Sequence, residues 1–225
     1  MSSATAAIEK SISEKLFYPN TEILRNKPNI QNQAELNRVE AESLAHNEPN
    51  RPILTKFTLS EIKLLHRYLF EDIYEWAGEL RQYTTGRGAA SFARPEYIES
   101  YFESSVFQPL AAEKYLKSAN KETFVERSAH FANEFNAIHP FIEGNGRITR
   151  FFLKDLALQA GYVLSVRRLE STKGAWYEAM ILGFERGDTS KLKHIIDYSL
   201  ENKGIDKQLE KIKDRDKDKD TRFGL

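Results

Sequence analysis

The sequence predicts a mainly α-helical protein, a helical bundle that carries one short β-hairpin. Three observations favour this fold class. Apolar residues recur at helical spacing through most of the chain, one stretch rich in threonine and glycine is typical of a hairpin, and outside that stretch no segment alternates as a sheet strand does. With 225 residues, 40% of them hydrophobic and 29% charged, the chain can bury a substantial core.

The helices on either side of the hairpin are predicted from their ends and their apolar faces. Thr58 and Glu61 resemble a capping box at the start of one helix, and Gly78 supplies its stop. A second helix is predicted over about 95–107. The polar region 26–50 is expected to be helical in part, and its pattern indicates no function. The apolar stripe of the first helix consists of Leu59, Ile62, Leu65, Leu69, Ile73 and Trp76.

The next predicted helix covers about 123–138 and carries several aromatic side chains on one face. Because Pro140 disfavours the helical region for the residue before it, this helix should end at His139. We expect the imidazole of His139 to be exposed at that helix exit and not packed. Further helices are predicted over 147–161, 174–186 and 189–201.

The hairpin is predicted in the stretch that begins at Arg81 and ends at Ile98. In a helical protein a lone hairpin has an unpaired edge, which can accept an extended segment of another chain. A mere connecting hairpin is the alternative, and a glycine-rich phosphate loop is disfavoured because no Walker lysine follows. The extended residues are Tyr83, Thr84 and Thr85, the turn glycines are Gly86 and Gly88, and the return strand is Ala90 to Phe92.

The most informative segment is HPFIEGNGRITR, from His139 to Arg150. Gly144, Asn145 and Gly146 can take backbone angles closed to most residues, so that successive amide groups point into one concavity suited to an anion. The helix that follows adds partial positive charge at its N-terminus. This segment therefore predicts a phosphate-binding nest.

Charged side chains of the same segment extend this interpretation. Arg147 and Arg150 lie three residues apart on one helix face, where each guanidinium can grip a phosphate oxygen. Glu143 would repel a bare phosphate, but it is a suitable hard ligand for a magnesium ion that bridges phosphate groups. Phe141 is interpreted as a buried anchor of the loop.

The segment resembles, without a gap, the signature HPFx[DE]GNGRxxR of the Fic family, whose best known members transfer AMP from ATP to a hydroxyl side chain of a target protein. The resemblance implies that His139 is the general base, that Glu143 binds Mg²⁺, and that 144–146 form the anion nest for ATP. It also implies that Arg147 and Arg150 hold the outer phosphates. A domain over 16–203 follows, with an N-terminal segment 1–15 and a charged tail or linker 204–225.

Two further roles follow from the same resemblance. The hairpin corresponds to the flap that holds the target's modifiable residue against the histidine, and Tyr177 corresponds to a contact with the adenine ring. Core packing of Trp176 and Tyr177 is the alternative. The flap residues are Tyr83, Thr84, Thr85, Gly86, Arg87, Gly88 and Phe92.

Regulation is inferred from a missing motif. Many Fic relatives are restrained by a helix bearing [ST]xxxE[GN], whose glutamate pairs with the second motif arginine, here Arg150. Thr5 to Glu9 comes nearest to it, but Lys10 stands where glycine or asparagine is expected. The resemblance therefore implies a toxin or bacterial effector that a separate small antitoxin protein restrains in trans. Two other readings stay open: transfer of phosphate, UMP or phosphocholine, and a non-enzymatic module that binds nucleotide.

Composition excludes several classes of function. A net charge of zero provides no global attraction for nucleic acid, although it leaves a local basic cleft open as an alternative. The absence of cysteine excludes disulfides and thiolate chemistry. The five histidines form no zinc motif, and no segment approaches the apolar length of a membrane span. Since residues 1–15 lack an apolar signal core, the chain is expected to be cytoplasmic where it is made, and an effector would then be translocated into a target or host cell.

Overall fold

The computed structural model of the chain describes residues 11–12, 14–87, 90–171 and 174–201. The chain divides into two compact units. The first comprises Met1–Glu99 with His139–Ile148, and the second comprises Ser100–Ile138 with Thr149–Leu225. The predicted tail 204–225 and the segment Thr5 to Glu9 lie outside the described residues.

In the first unit, helices α1 (Gln33–Asn47) and α2 (Leu59–Phe70) pack against each other. Asn32 caps α1, because its Oδ1 atom accepts a hydrogen bond of 3.0 Å from the N–H of Glu35. A 3₁₀ turn, Glu48–Asn50, follows α1. The core of the unit includes Leu36, Leu54, Phe57, Ile62, Leu65, Leu69 and Phe70.

The cap of α2 differs from the capping box that the sequence predicts. The Thr58 hydroxyl accepts from the Glu61 N–H at 3.4 Å, as expected. The Glu61 carboxylate does not complete the box, because it accepts from the backbone N–H groups of Thr55 and Lys56. Glu61 therefore fixes the chain ahead of the helix, and α2 ends earlier than predicted, well before Gly78.

A hairpin is confirmed, but its first strand does not lie at Tyr83 to Thr85 as predicted. Strands β1 (Gly86–Arg87) and β2 (Ala90–Ser91) pair antiparallel, with Gly86 opposite Ser91. Gly86 lies in a strand and not in the turn, and a Cβ atom there would lie 2.3 Å from the carbonyl oxygen of Ala90. The glycine is thus needed for the close approach of the two strands.

The helix predicted over about 95–107 is longer and less regular than expected. It starts as a 3₁₀ turn (Pro95–Tyr97), continues as α3 (Ile98–Tyr101) and a π-helical segment (Phe102–Phe107), and ends as α4 (Gln108–Ala112). Pro109 has no N–H to donate, which interrupts the α-helical hydrogen-bond pattern at this point. A 3₁₀ turn, Lys114–Leu116, follows.

Five further helices follow among the described residues of the second unit. They are α5 (Lys121–Ile138), α6 (Asn145–Ala160, whose first turn belongs to the first unit), α7 (Val166–Ser171), α8 (Ala175–Arg186) and α9 (Ser190–Ser199). Helix α9 packs on α5, α7 and α8. The core includes Phe102, Phe124, Phe131, Phe135, Phe152, Leu156, Leu192 and Ile196.

A second antiparallel pair lies in the second unit, where no strand is predicted. Strands β3 (Val163–Leu164) and β4 (Leu200–Glu201) pair with Leu164 opposite Leu200. Strands of two residues are too short to produce a visible alternation, so the sequence contains no signal for them. The mainly helical fold class is confirmed, and among the described residues no helix combines the length and apolarity that crossing a membrane requires.

Candidate active site

His139 directly follows α5 and has a left-handed backbone conformation, with φ of +48°. The prediction that the helix ends here is confirmed. The prediction that the imidazole is exposed and not packed is wrong: the side chain is half-buried and stacks on Phe92, with ring centroids 4.0 Å apart and planes 4° apart. The hairpin therefore supplies an aromatic surface that limits the rotation of the imidazole.

Arg81 fixes the backbone of the same residue. Its side chain is 1% exposed, and its Nε atom donates a hydrogen bond of 2.7 Å to the carbonyl oxygen of His139. The two terminal nitrogens of Arg81 donate to the carbonyl oxygens of Tyr83 and Ala93, on either side of the hairpin. One planar guanidinium thus ties His139 to both ends of the hairpin.

Phe141 and His66 anchor the loop that follows. Phe141 is fully buried, which confirms its predicted role, and it stacks on His66 at 3.8 Å. The Nδ1 atom of His66 accepts from the Gly78 N–H at 2.8 Å, so its Nε2 atom carries the proton and donates to the carbonyl oxygen of Glu143 at 3.1 Å. Burial lowers the pKa of His66 to about 4, and the nearby Arg147 acts in the same direction.

Only one residue of the predicted nest departs from helical geometry. Gly144 has φ of +85°, and a Cβ atom there would lie 2.6 Å from the ring of Phe70, so glycine is required for two reasons. Helix α6 begins at Asn145 and not at Arg147 as predicted, because Gly144 accepts the first intrahelical hydrogen bond, from Ile148. What remains of the predicted nest is the N-terminus of α6, whose partial positive charge favours an anion.

The side chain of Asn145 serves the loop itself. It is 6% exposed, its Oδ1 atom accepts from the Phe141 N–H at 2.9 Å, and its Nδ2 atom donates to the Phe141 carbonyl oxygen at 2.8 Å. Asn145 could therefore contribute to nucleotide binding only through its backbone at the helix N-terminus. The reciprocal bonds hold the loop closed below that terminus.

Arg147 lies between two carboxylates. One terminal nitrogen is 2.8 Å from Glu40 and the other is 3.0 Å from Glu143, while the guanidinium carbon lies 4.6 Å from the centre of the Phe70 ring. Although burial opposes the charge, Glu40 and Glu143 together hold the pKa of Arg147 above its usual value. Tyr74, which is 1% exposed, donates its hydroxyl hydrogen to Glu40.

The remaining predicted residues of the nucleotide site belong to the second unit. Arg150 is one turn beyond Arg147 on α6, and its guanidinium is 3.2 Å from the carboxylate of Glu170 on α7. Trp176 is buried in the core, whereas Tyr177 is 55% exposed. Core packing is thus excluded for Tyr177, and its contact with adenine stays a prediction.

The flap residues are placed at and beside the hairpin. Thr84 and Gly86 are exposed, Tyr83, Thr85 and Arg87 are half-buried, and Gly88 lies outside the described residues. Phe92 is 5% exposed behind the imidazole of His139, so it cannot present its ring to a docked protein. The exposed part of the predicted flap is therefore the edge around Thr84 and Gly86, and its role in docking a target stays a prediction.

Comparison with known proteins identifies this arrangement. Residues 56–157 match the model of the Fic/DOC family. A probable protein adenylyltransferase, y4lH of Sinorhizobium fredii (strain NBRC 101917 / NGR234), is 40% identical over 185 residues, which cover 81% of this chain and 93% of the relative. The chain belongs to the Fic/DOC family. A second Fic relative, the probable protein adenylyltransferase Fic of Escherichia coli (strain K12), is 35% identical over 191 residues, 84% of this chain and 92% of its own.

A solved structure agrees with the Fic fold. The N-terminal Fic domain of a VirB-translocated Bep effector protein from Bartonella quintana, determined with bound ADP, superposes with a TM-score of 0.75 at 25% identity. The match covers 84% of this chain and 95% of that domain.

The carboxylate of Glu143 is the donor that the 139–150 loop offers to a magnesium ion. Among the described residues, no group of three or more histidines, cysteines and acidic side chains is arranged to hold a metal. Mg²⁺ commonly uses one or two carboxylates and completes its coordination with phosphates and water. The Glu143 side chain, 46% exposed beside the N-terminus of α6, suits this limited role.

Several residues that shape the Fic loop carry no motif signal. Glu40 lies in the polar region for which the sequence indicates no function, and Tyr74 and His66 resemble ordinary helical core positions. Arg81 opens the hairpin stretch, but nothing in that stretch predicts its bond to His139. Since each of these residues contacts a partner far away in the chain, local patterns could not reveal them.

Proposed function

We propose that the chain is a protein adenylyltransferase, which transfers AMP from ATP to a hydroxyl side chain of a target protein and releases pyrophosphate. The observation that carries this proposal is the complete 139–150 motif, whose stacked imidazole and helix N-terminus both lie in the first unit. Membership of the Fic/DOC family supports it, as do two relatives named probable protein adenylyltransferases at 40% and 35% identity.

His139 acts as the general base. Its backbone is held by Arg81 and its ring by Phe92, so the imidazole keeps one orientation while it accepts the proton of the target hydroxyl. The hydroxyl oxygen then bonds to the α-phosphorus, and the bond between that phosphorus and the bridging oxygen of pyrophosphate breaks. General base catalysis of this kind contributes roughly 10²- to 10⁴-fold in rate.

The N-terminus of α6 stabilises the negative charge that develops on the phosphates. Arg147 stands at this terminus, and Arg150, one turn later, binds the outermost phosphate in exchange for Glu170. Glu143 would hold magnesium, which when bound neutralises charge between the phosphates. Tyr177 contacts the adenine ring from α8.

The target docks on the hairpin. Strands β1 and β2 form a two-stranded sheet, and main-chain groups at the edge of such a sheet can pair with an extended target segment. Because Phe92 connects this sheet to His139, a target paired with the edge would bring its hydroxyl toward the base.

The chain acts in this proposal as a toxin or effector that a separate antitoxin protein restrains. It is cytoplasmic where it is made, and a related Fic domain is named as a VirB-translocated effector, which supports translocation into another cell. A purified chain that modifies no protein until one of its own terminal segments is removed would contradict restraint in trans.

The test is incubation of the purified chain with a cell lysate and ATP labelled at the α-phosphate. Wild type should label a protein, and His139→Ala should lose that labelling while it retains nucleotide binding. Mass spectrometry of the modified peptide should show added AMP. Added phosphate, UMP or phosphocholine would replace the proposal by another transfer reaction, and a chain that binds ATP without modifying any protein would be a binding module.

A further inference from the structure

Glu40 and Glu143 share one guanidinium. The Arg147 nitrogens lie 2.8 Å from Glu40 and 3.0 Å from Glu143, and the side chains of Arg147 and Glu40 are only 17% and 11% exposed. The second carboxylate differs in its exposure, because the side chain of Glu143 is 46% exposed. Glu40 is therefore the buried partner of Arg147, and Glu143 is the partner that a ligand can reach.

The aromatic surroundings of Glu40 hold its carboxylate in place. Tyr74 donates its hydroxyl hydrogen to Glu40, and the ring of Tyr74 stacks on Trp76 with centroids 4.3 Å apart. Burial raises the pKa of Tyr74 far above its ordinary value, and the hydrogen bond and charge of Glu40 raise it further. Tyr74 therefore remains a hydrogen-bond donor to the Glu40 carboxylate.

The two carboxylates and the guanidinium line one cavity of about 410 Å³ in the first unit. Together they carry one net negative charge. If Glu40 were neutral, the charge of Arg147 would fall on Glu143 alone, and the trio would have no net charge. A divalent cation would then be attracted less to Glu143, and a nucleotide anion would be repelled less.

We propose that Glu40 is a positioning residue that sets the charge of the catalytic loop: it holds one side of the Arg147 guanidinium and thereby keeps Glu143 negative enough to accept magnesium beside the nucleotide. This inference rests on the proposed function, because it takes Glu143 as the magnesium ligand of a nucleotide site. Glu40 touches no reacting atom and acts through Arg147.

The test compares the affinity of the full chain for ADP in EDTA and in excess Mg²⁺ by isothermal titration calorimetry. In Glu40→Gln, ADP binding in EDTA should tighten about threefold, whereas the gain in affinity on adding Mg²⁺ should shrink about tenfold, as expected for the loss of one charge near a divalent cation. Glu40→Asp keeps the charge and should stay within about twofold of wild type on both measures.

Glu42→Gln is the matched control. Glu42 lies on the same helix, its side chain is 62% exposed and it pairs with Arg38 at 2.7 Å. This substitution also removes one negative charge, but at a site that does not contact Arg147. It should change the affinity for ADP neither in EDTA nor in Mg²⁺. A change in Glu42→Gln equal to that in Glu40→Gln would mean that net charge alone is responsible, and it would overturn the proposal.

The remaining outcomes also decide the question. Equal weakening of ADP binding in both buffers, with an unchanged circular dichroism spectrum, would mean that Glu40 only maintains the shape of the site. No change in either buffer would mean that Glu40 has no role. Both results would refute the inference. If Glu40→Gln does not fold, the equally neutral Glu40→Met replaces it. Failure of both variants to fold would mean that the carboxylate is needed for folding, and it would refute the inference. A wild-type chain that binds no ADP and labels no protein would instead refute the proposed function.

Discussion

The buried histidine that supports the 139–150 loop, His66, makes folding stability depend on pH. His66 accepts a hydrogen bond at Nδ1 from the Gly78 N–H and donates one from Nε2 to Glu143, so an added proton on Nδ1 would face a donor. Burial lowers the pKa of His66 from 6.5 to about 4. Since the unfolded chain binds this proton near pH 6.5 and the folded chain only near pH 4, the contribution of His66 is full above pH 6.5 and is lost as the pH falls to 4.

The size of this loss follows from the shift in pKa. The lowering of the His66 pKa from 6.5 to about 4 on folding corresponds to a loss of about 3 kcal/mol in the free energy of unfolding between pH 6.5 and pH 4. Below pH 4 both states carry the proton, and His66 should cause no further change. Urea unfolding followed by circular dichroism at a series of pH values, without added magnesium, measures the effect.

His66→Phe separates this contribution from those of other titrating groups. The variant keeps the aromatic packing on Phe141 but loses two hydrogen bonds, so it should be less stable than wild type at pH 7.5 by about 1–3 kcal/mol. As the pH falls to 4, wild type should lose about 3 kcal/mol more than the variant, so the gap should close or reverse. A gap that stays constant would refute the reasoning, and His194→Gln, an exposed site on α9, controls for the simple loss of a histidine.

Three further substitutions test the remaining contacts. Arg81→Lys keeps the positive charge but loses the planar guanidinium, so AMP transfer should fall at least about tenfold while the affinity for ADP stays unchanged. Parallel losses of AMP transfer and ADP affinity would contradict a role of Arg81 in orienting His139. Gly86→Ala places a methyl group 2.3 Å from the Ala90 carbonyl oxygen, so target labelling should fall several-fold while the melting temperature drops by only a few degrees, and unaltered labelling would exclude the hairpin as the docking site. Glu170→Gln removes the carboxylate 3.2 Å from Arg150, so calorimetry should show ATP binding about threefold tighter and ADP binding unchanged; an equal effect on both nucleotides would mean that Arg150 does not hold the terminal phosphate.

The helices and the hairpin could be predicted because their signals are local. The stop at Pro140, the apolar faces of α2 and α5, and the glycine-rich turn all act within a few residues. The same holds for the 139–150 loop, whose residues are contiguous in the chain. What could be found was therefore the identity of the loop residues and the elements that carry them.

The supports of the loop could not be predicted because they depend on tertiary contacts. Glu40 on α1 meets Arg147 on α6, and Arg81 meets His139, and neither pairing leaves a periodic trace in the sequence. The packing of His139 was predicted wrongly for the same reason, since Pro140 determines where the helix ends but not which ring lies against the imidazole. Only the folded hairpin brings Phe92 there.

The stacking of Phe92 on His139 constrains how such a protein could change to a new target protein. Phe92 is contiguous with β2, so any remodelling of the hairpin that accommodates a different docking sequence also shifts the plane against which the imidazole rests. Under the proposed docking on the hairpin, the choice of target and the rate of transfer both depend on the Phe92 ring. Laboratory evolution toward new clients should therefore recover compensating changes next to position 92 before activity returns.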